Sequence, residues 1–76
     1  METIINPMVE VFKTNVENPA DASILVALLQ KQIINSRVNF DLEDCDKILR
    51  VEGTDISHRR VVAILKKHGY LCELLE

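Results

Sequence analysis

Two cysteines are the strongest nucleophiles and the softest metal ligands in this sequence, and they lie far apart along the chain. The spacing of Cys45 and Cys72 matches no zinc or redox motif. Cys45 lies in an acidic segment and is expected to be exposed, which makes it a candidate reactive thiol or metal ligand. Cys72 alternates with Tyr70 and Leu74, and this pattern is typical of a buried small hydrophobe.

The other candidate metal ligands lie next to predicted helix ends. Asn18 and Asp21 place two oxygen-bearing side chains at the start of a helix, where the same residue types also serve as helix caps. Two oxygens are too few for Ca²⁺, which takes roughly six to eight. His68 precedes Gly69 and is either a metal ligand or a cation at a helix end. We therefore predict no cofactor, with Cys45 and His68 as the remaining candidates for a metal ion.

Two charged clusters are candidate interaction surfaces. The basic turn, His58-Arg59-Arg60, fills the first turn of a predicted helix, where the helix dipole disfavours positive charge. The acidic turn, residues 43–46, is expected at the same end of the domain as Asn18. Each cluster either steers a protein partner or is a solvated surface turn, and the sequence leaves both interpretations open.

Composition and charge disfavour several classes of function. A net charge of −3 in 76 residues argues against nucleic-acid binding, which requires clustered Lys and Arg. No nucleophile–base pair, glycine-rich phosphate loop or His–carboxylate cluster is present, so we expect no enzyme activity. No apolar stretch approaches the roughly 18 residues of a membrane span. With only two cysteines and no visible signal peptide, a cytoplasmic location is expected.

Hydrophobic periodicity predicts one domain at residues 8–76, preceded by a tail at residues 1–7. Strands are predicted at residues 8–14, 38–42, 47–52 and 70–75. Helices are predicted at residues 19–33 and 58–68, after Asn18 and Ser57 as N-caps. The order βαββαβ predicts a ferredoxin-like α+β sandwich, in which a four-stranded antiparallel sheet of order 4-1-3-2 carries both helices on one face.

This arrangement makes two further predictions. Cys45 and Cys72 should lie on opposite edges of the sheet, about 14 Å apart, which is too far for a disulfide. The open face, meaning the sheet face away from the helices, should carry Phe12, Ile48 and Leu71 on adjacent strands. Together with a broadly apolar first helix, this patch predicts a surface for a protein partner or for a homodimer.

The second half of the chain carries a succession of core and cap segments on which a family resemblance rests. A Val-x-Phe-x-Leu strand at residues 38–42 precedes a hairpin partner at residues 47–52. Ile56-Ser57 then leads to Val61-Val62, and the helix closes on Gly69-Tyr70. These segments resemble the heavy-metal-associated domains of copper chaperones, copper-pumping ATPases and mercury-binding proteins, which implies the same βαββαβ fold.

The metal motif of that family, Gly-Met-x-Cys-x-x-Cys, falls on residues 15–21 of this chain. Asn18 and Asp21 stand at the two cysteine positions, so the resemblance implies a scaffold without the soft-metal site. We therefore expect a small non-catalytic protein-interaction or regulatory module. The alternatives are a divergent metal-binding or metal-transfer protein with non-standard ligands and, by fold analogy, a ligand-sensing domain.

Overall fold

Four strands and two helices follow one another in the order βαββαβ in the computed structural model, which describes residues 8–75. The predicted tail at residues 1–7 lies outside the described part of the chain. The domain is an α+β fold with one antiparallel sheet. Its elements are β1 (Met8–Thr14), α1 (Pro19–Gln32), β2 (Arg37–Asp41), β3 (Ile48–Gly53), α2 (His58–Lys67) and β4 (Cys72–Leu74).

Both helices begin where the sequence predicts, because the predicted caps form. Asn18 Oδ1 accepts a hydrogen bond from Ala20 N at 2.8 Å, and Pro19 occupies the first turn. Ser57 accepts a hydrogen bond from the main-chain N–H at the third helical position. After α2, Gly69 adopts a φ of +88°, a left-handed conformation that glycine takes at little cost.

The sheet has the strand order β2-β3-β1-β4, which is 4-1-3-2 when read from the β4 edge. β1 is central and pairs with β3 on one side and β4 on the other. β4 is shorter than predicted and begins only at Cys72. The main-chain N–H of Leu71 donates to Asn15 Oδ1 at 2.9 Å, so a side chain takes over the pairing before β4 begins.

The core lies between the two helices and one face of the sheet. Leu25 and Leu29 of α1 and Val61 and Leu65 of α2 are fully or almost fully buried there. Ile56, just before the Ser57 cap, also belongs to this core. The sheet contributes its own buried side chains, namely Phe12, Val38, Leu49, Val51 and Cys72.

The prediction that places Phe12 on the open face is wrong. Phe12 lies directly opposite Leu49 of β3 and Leu74 of β4, so its side chain points to the helices and is 0% exposed. Ile48 faces the other way from Leu49, as predicted, yet it is only 8% exposed. Leu71 is 68% exposed. These three residues therefore do not form one exposed apolar patch.

Replacement of Phe12 tests this assignment. We expect Phe12→Ala to lower the free energy of unfolding by about 3–5 kcal/mol, because it leaves a cavity in a packed core. The control Leu71→Ala changes an exposed side chain and should stay within about 0.5 kcal/mol of the wild type. Urea denaturation followed by circular dichroism measures both. A smaller loss for Phe12→Ala than for Leu71→Ala would contradict the observed register of β1.

Candidate functional site

A shallow apolar groove runs between helix α1 and the edge strand β2, and we call it the α1–β2 groove. Its volume is about 340 Å³. The helix wall comes from Ala22, Ser23 and Val26. The opposite wall comes from Val38 and Phe40 of β2 and from Leu42 just after it. The groove exists because β2 is the last strand of the sheet, so the core-facing side chains of β2 are covered on one side only. Phe40, Leu42 and Val26 consequently remain half-buried.

The outer edge of β2 carries no further strand within residues 8–75. The main-chain N–H of Val38 points away from β3 and donates to Gln30 Oε1 of α1 at 3.1 Å. Because main-chain groups alternate in direction along an antiparallel strand, the N–H of Phe40 points to the same outer side. A sheet edge without a neighbouring strand is where another strand can add to a sheet.

The predicted strand order already places β2 at an edge of the sheet, but the contact of Gln30 with this edge was not predicted, although one signal was available. Gln30 follows Leu28 and Leu29 in an apolar helix, and an amide at that position has both a donor and an acceptor for a nearby strand. Which strand it contacts depends on how α1 packs on the sheet. The exposed residues of β2 itself, Arg37, Asn39 and Asp41, alternate with Val38 and Phe40.

The acidic turn brings three potential metal ligands together. One ligand atom from each of Asp44, Cys45 and Asp46 lies within 4.8 Å of the others, and Cys45 is exposed as predicted. The turn is held by its own hydrogen bonds, from Asp46 N to Asp44 Oδ1 at 2.8 Å and from Lys47 N to Asp44 O at 3.0 Å. One oxygen of Asp44 is thus already engaged in maintaining the turn.

Thr14 connects the acidic turn to the loop between β1 and α1. Its buried hydroxyl donates to Lys47 O at 2.6 Å and accepts from Val16 N at 3.2 Å. Its main-chain N–H donates to Asp46 O at 3.0 Å. The acidic turn and the loop that leads to Asn18 therefore lie at the same end of the domain, as the sequence predicts.

The structure places the remaining candidate ligands in other roles. Asn18 caps α1, as described above, while Asp21 interacts with Tyr70. Hydrogen bonding to Asp21, followed by burial and by the negative charge of Asp21, raises the pKa of the Tyr70 hydroxyl. His68 Nδ1 lies 2.8 Å from Ile64 O, one turn earlier in the same helix. Within residues 8–75, the only group of three potential ligands is the one in the acidic turn.

The basic turn lies at the protein surface. His58, Arg59 and Arg60 are all exposed at the start of α2. Arg60 and Asp55 both line a small cavity of about 220 Å³, but the ion pairs found among residues 8–75 do not include them. The basic turn therefore supplies charge without a charged side-chain partner in the described chain.

The two thiols differ sharply in environment. Both cysteines are free. Cys72 is 7% exposed and belongs to the core, as predicted. Burial raises the pKa of Cys72 to about 12, an effect that the positive charge of Lys66 only partly offsets. The Cys72 thiol therefore remains protonated and unreactive at neutral pH.

Comparisons with protein-family models, with curated proteins and with solved structures give no match to this chain. Among residues 8–75, neither helix has the length and apolar character needed to cross a membrane.

Thiol reactivity tests this difference between the cysteines. In the folded protein at neutral pH, we expect one thiol to react rapidly with a disulfide reagent such as Ellman's reagent. Cys45→Ser should abolish that rapid phase, because Cys45 is exposed whereas burial keeps Cys72 protonated. Cys72→Ser should preserve it, and unfolding in urea should release the second thiol of the wild type. Rapid reaction of Cys72 in the folded Cys45→Ser variant would contradict its burial.

Proposed function

We propose that this protein is a non-catalytic protein-interaction or regulatory module that binds its partner at the α1–β2 groove. The observation that carries the proposal is that an apolar groove lies beside the outer edge of β2, where the main-chain N–H of Val38 points away from β3. An extended segment of a partner can add to β2 through its main chain, while alternate side chains enter the groove.

The surface of α1 supports this proposal. Ile24 is 64% exposed, and Ala27 on the next turn is exposed as well. The helix thus has apolar residues on more of its circumference than packing against the sheet requires. Exposed apolar residues on a helix that also lines an apolar groove are a feature of protein-binding sites.

We further propose that the scaffold is ferredoxin-like and related to heavy-metal-associated domains that have lost their metal site. The element order, the strand order and the positions of the helix caps support this relationship. Asn18 supports the loss of metal binding, because its side chain caps α1 at a position where the family has a cysteine. Two free thiols are consistent with a reducing cytoplasm as the location.

Site-specific photo-cross-linking in the native host tests the proposed surface. A photoreactive residue replaces Ser23, which is exposed and lines the groove. The matched control replaces Gln32, which is exposed on the same helix but does not line the groove. We expect a cross-linked product of discrete mass from position 23 and not from position 32, because only the former lies against the partner.

The mass of the product identifies the partner as a second copy or as another protein. Equal cross-linking from positions 23 and 32, or no product from either position, would contradict binding at the groove. Unchanged urea denaturation of both substituted proteins is the control for folding.

A second candidate function is metal binding at the acidic turn, because ligand atoms of Asp44, Cys45 and Asp46 lie close together. One sulfur and two carboxylates suit Zn²⁺, which accepts both ligand types, better than Cu(I), which prefers sulfur. For this candidate we expect stoichiometric Zn²⁺ binding in chelator competition that is lost in Cys45→Ser but kept in Cys72→Ser. Equal binding by both variants would exclude the acidic turn as the site.

A further inference from the structure

We propose that the partner at the groove is a second copy of this chain, joined by antiparallel pairing of the two β2 strands about a two-fold axis at Asn39. This inference rests on the proposed function, because it names the occupant of the same surface. Pairing of the two edges would make one continuous eight-stranded sheet. Such an interface is self-complementary, as a two-fold contact requires.

The charges of β2 match this arrangement. In a pairing centred on Asn39, residue 37 of one copy lies opposite residue 41 of the other. Each Arg37 therefore faces an Asp41 of the second copy, and the two-fold axis generates this pair twice. Both residues are exposed, and the ion pairs among residues 8–75 include neither of them. Opposite charges directly across two strands favour pairing, whereas like charges oppose it.

The main-chain geometry permits the same register. Val38 directs its N–H away from β3, and by strand alternation Phe40 does the same. With Asn39 on the axis, Val38 of each copy lies opposite Phe40 of the second copy. These are the two residues whose N–H and C=O groups point outward, so each pair can exchange two main-chain hydrogen bonds. A register shifted by one residue would lose both these bonds and the charge match.

The side chains between the charges are also complementary. Val38 and Phe40 point to the helix side of the sheet and form the strand wall of the groove. Across the axis, Phe40 of one copy would lie beside Val38 of the second copy, so the two grooves would meet as one apolar seam. Gln30, whose amide bonds the Val38 N–H in the single chain, would rotate away, which requires no change in the main chain.

Charge exchange tests this register directly. Sedimentation equilibrium should show concentration-dependent association of the full chain below about 1 mM, because a small interface gives a weak dimer. Arg37→Asp and Asp41→Arg should each weaken association by about tenfold, since each places like charges opposite one another. The double variant restores opposite charges and should return to within about threefold of the wild type.

The matched control exchanges charges elsewhere. Arg59→Asp and Asp55→Arg change the same residue types outside β2 and should leave association unchanged. Gln30→Ala frees the Val38 N–H for pairing and should strengthen association. Urea denaturation of each variant separates loss of pairing from loss of folding.

Several outcomes would overturn the inference. These are a wild type that stays monomeric near 1 mM, single variants that associate like the wild type, and a double variant no better than the single ones. A cross-linked product at position 23 with the mass of a different protein, together with a monomeric chain, would overturn self-pairing and leave the proposed interaction site intact. Absence of any groove-specific product would instead count against the proposed function.

Discussion

The position of Phe12 in the central strand is the constraint on which the rest of this fold depends. Phe12 lies opposite Leu49 on one side and Leu74 on the other, so one side chain joins three of the four strands beneath the helices. Fixing Phe12 inward fixes the direction of every other side chain in the sheet, because side chains alternate along each strand and paired residues share a face. The same register therefore turns Val38 and Phe40 toward α1, and Arg37 and Asp41 toward the open face.

Thr14, two residues after Phe12, extends this constraint to the end of the domain that carries the acidic turn. Its side chain points inward because it lies two positions from Phe12 on the same strand. Its hydroxyl hydrogen-bonds to the main chain of the hairpin and to that of the loop before α1. A buried hydroxyl with both its donor and its acceptor satisfied is a strong positional restraint, since loss of either partner would leave a polar group unpaired. The acidic turn and the start of α1 are thus held relative to β1.

The sequence was sufficient where local chemistry decides the structure and insufficient where long-range pairing decides it. Asn18, Ser57 and Gly69 could be assigned as caps because capping depends on residues only a few positions apart. The phase of β1 could not be assigned in this way, because Val9 and Val11 compete with Phe12 for the core face. Leu49 and Leu74 decide which face of β1 is buried, because they lie far away in the chain but opposite Phe12 in the sheet. The groove and the role of Gln30 depend on the same long-range packing.

In the proposed pairing, the edge strand β2 would combine protection of the sheet with recognition of a second strand. Exposed edges invite unwanted pairing, and proteins commonly protect them with side chains and charges. Gln30 covers one outward N–H through a side chain that can rotate away, which makes the protection reversible. Arg37 and Asp41, placed symmetrically about Asn39, favour one antiparallel register and penalise those in which like charges meet. The specificity of such an edge comes from repulsion between like charges in the wrong registers as much as from attraction in the favoured register. Because the charges are symmetric about one residue, a second copy of β2 satisfies them in the proposed pairing.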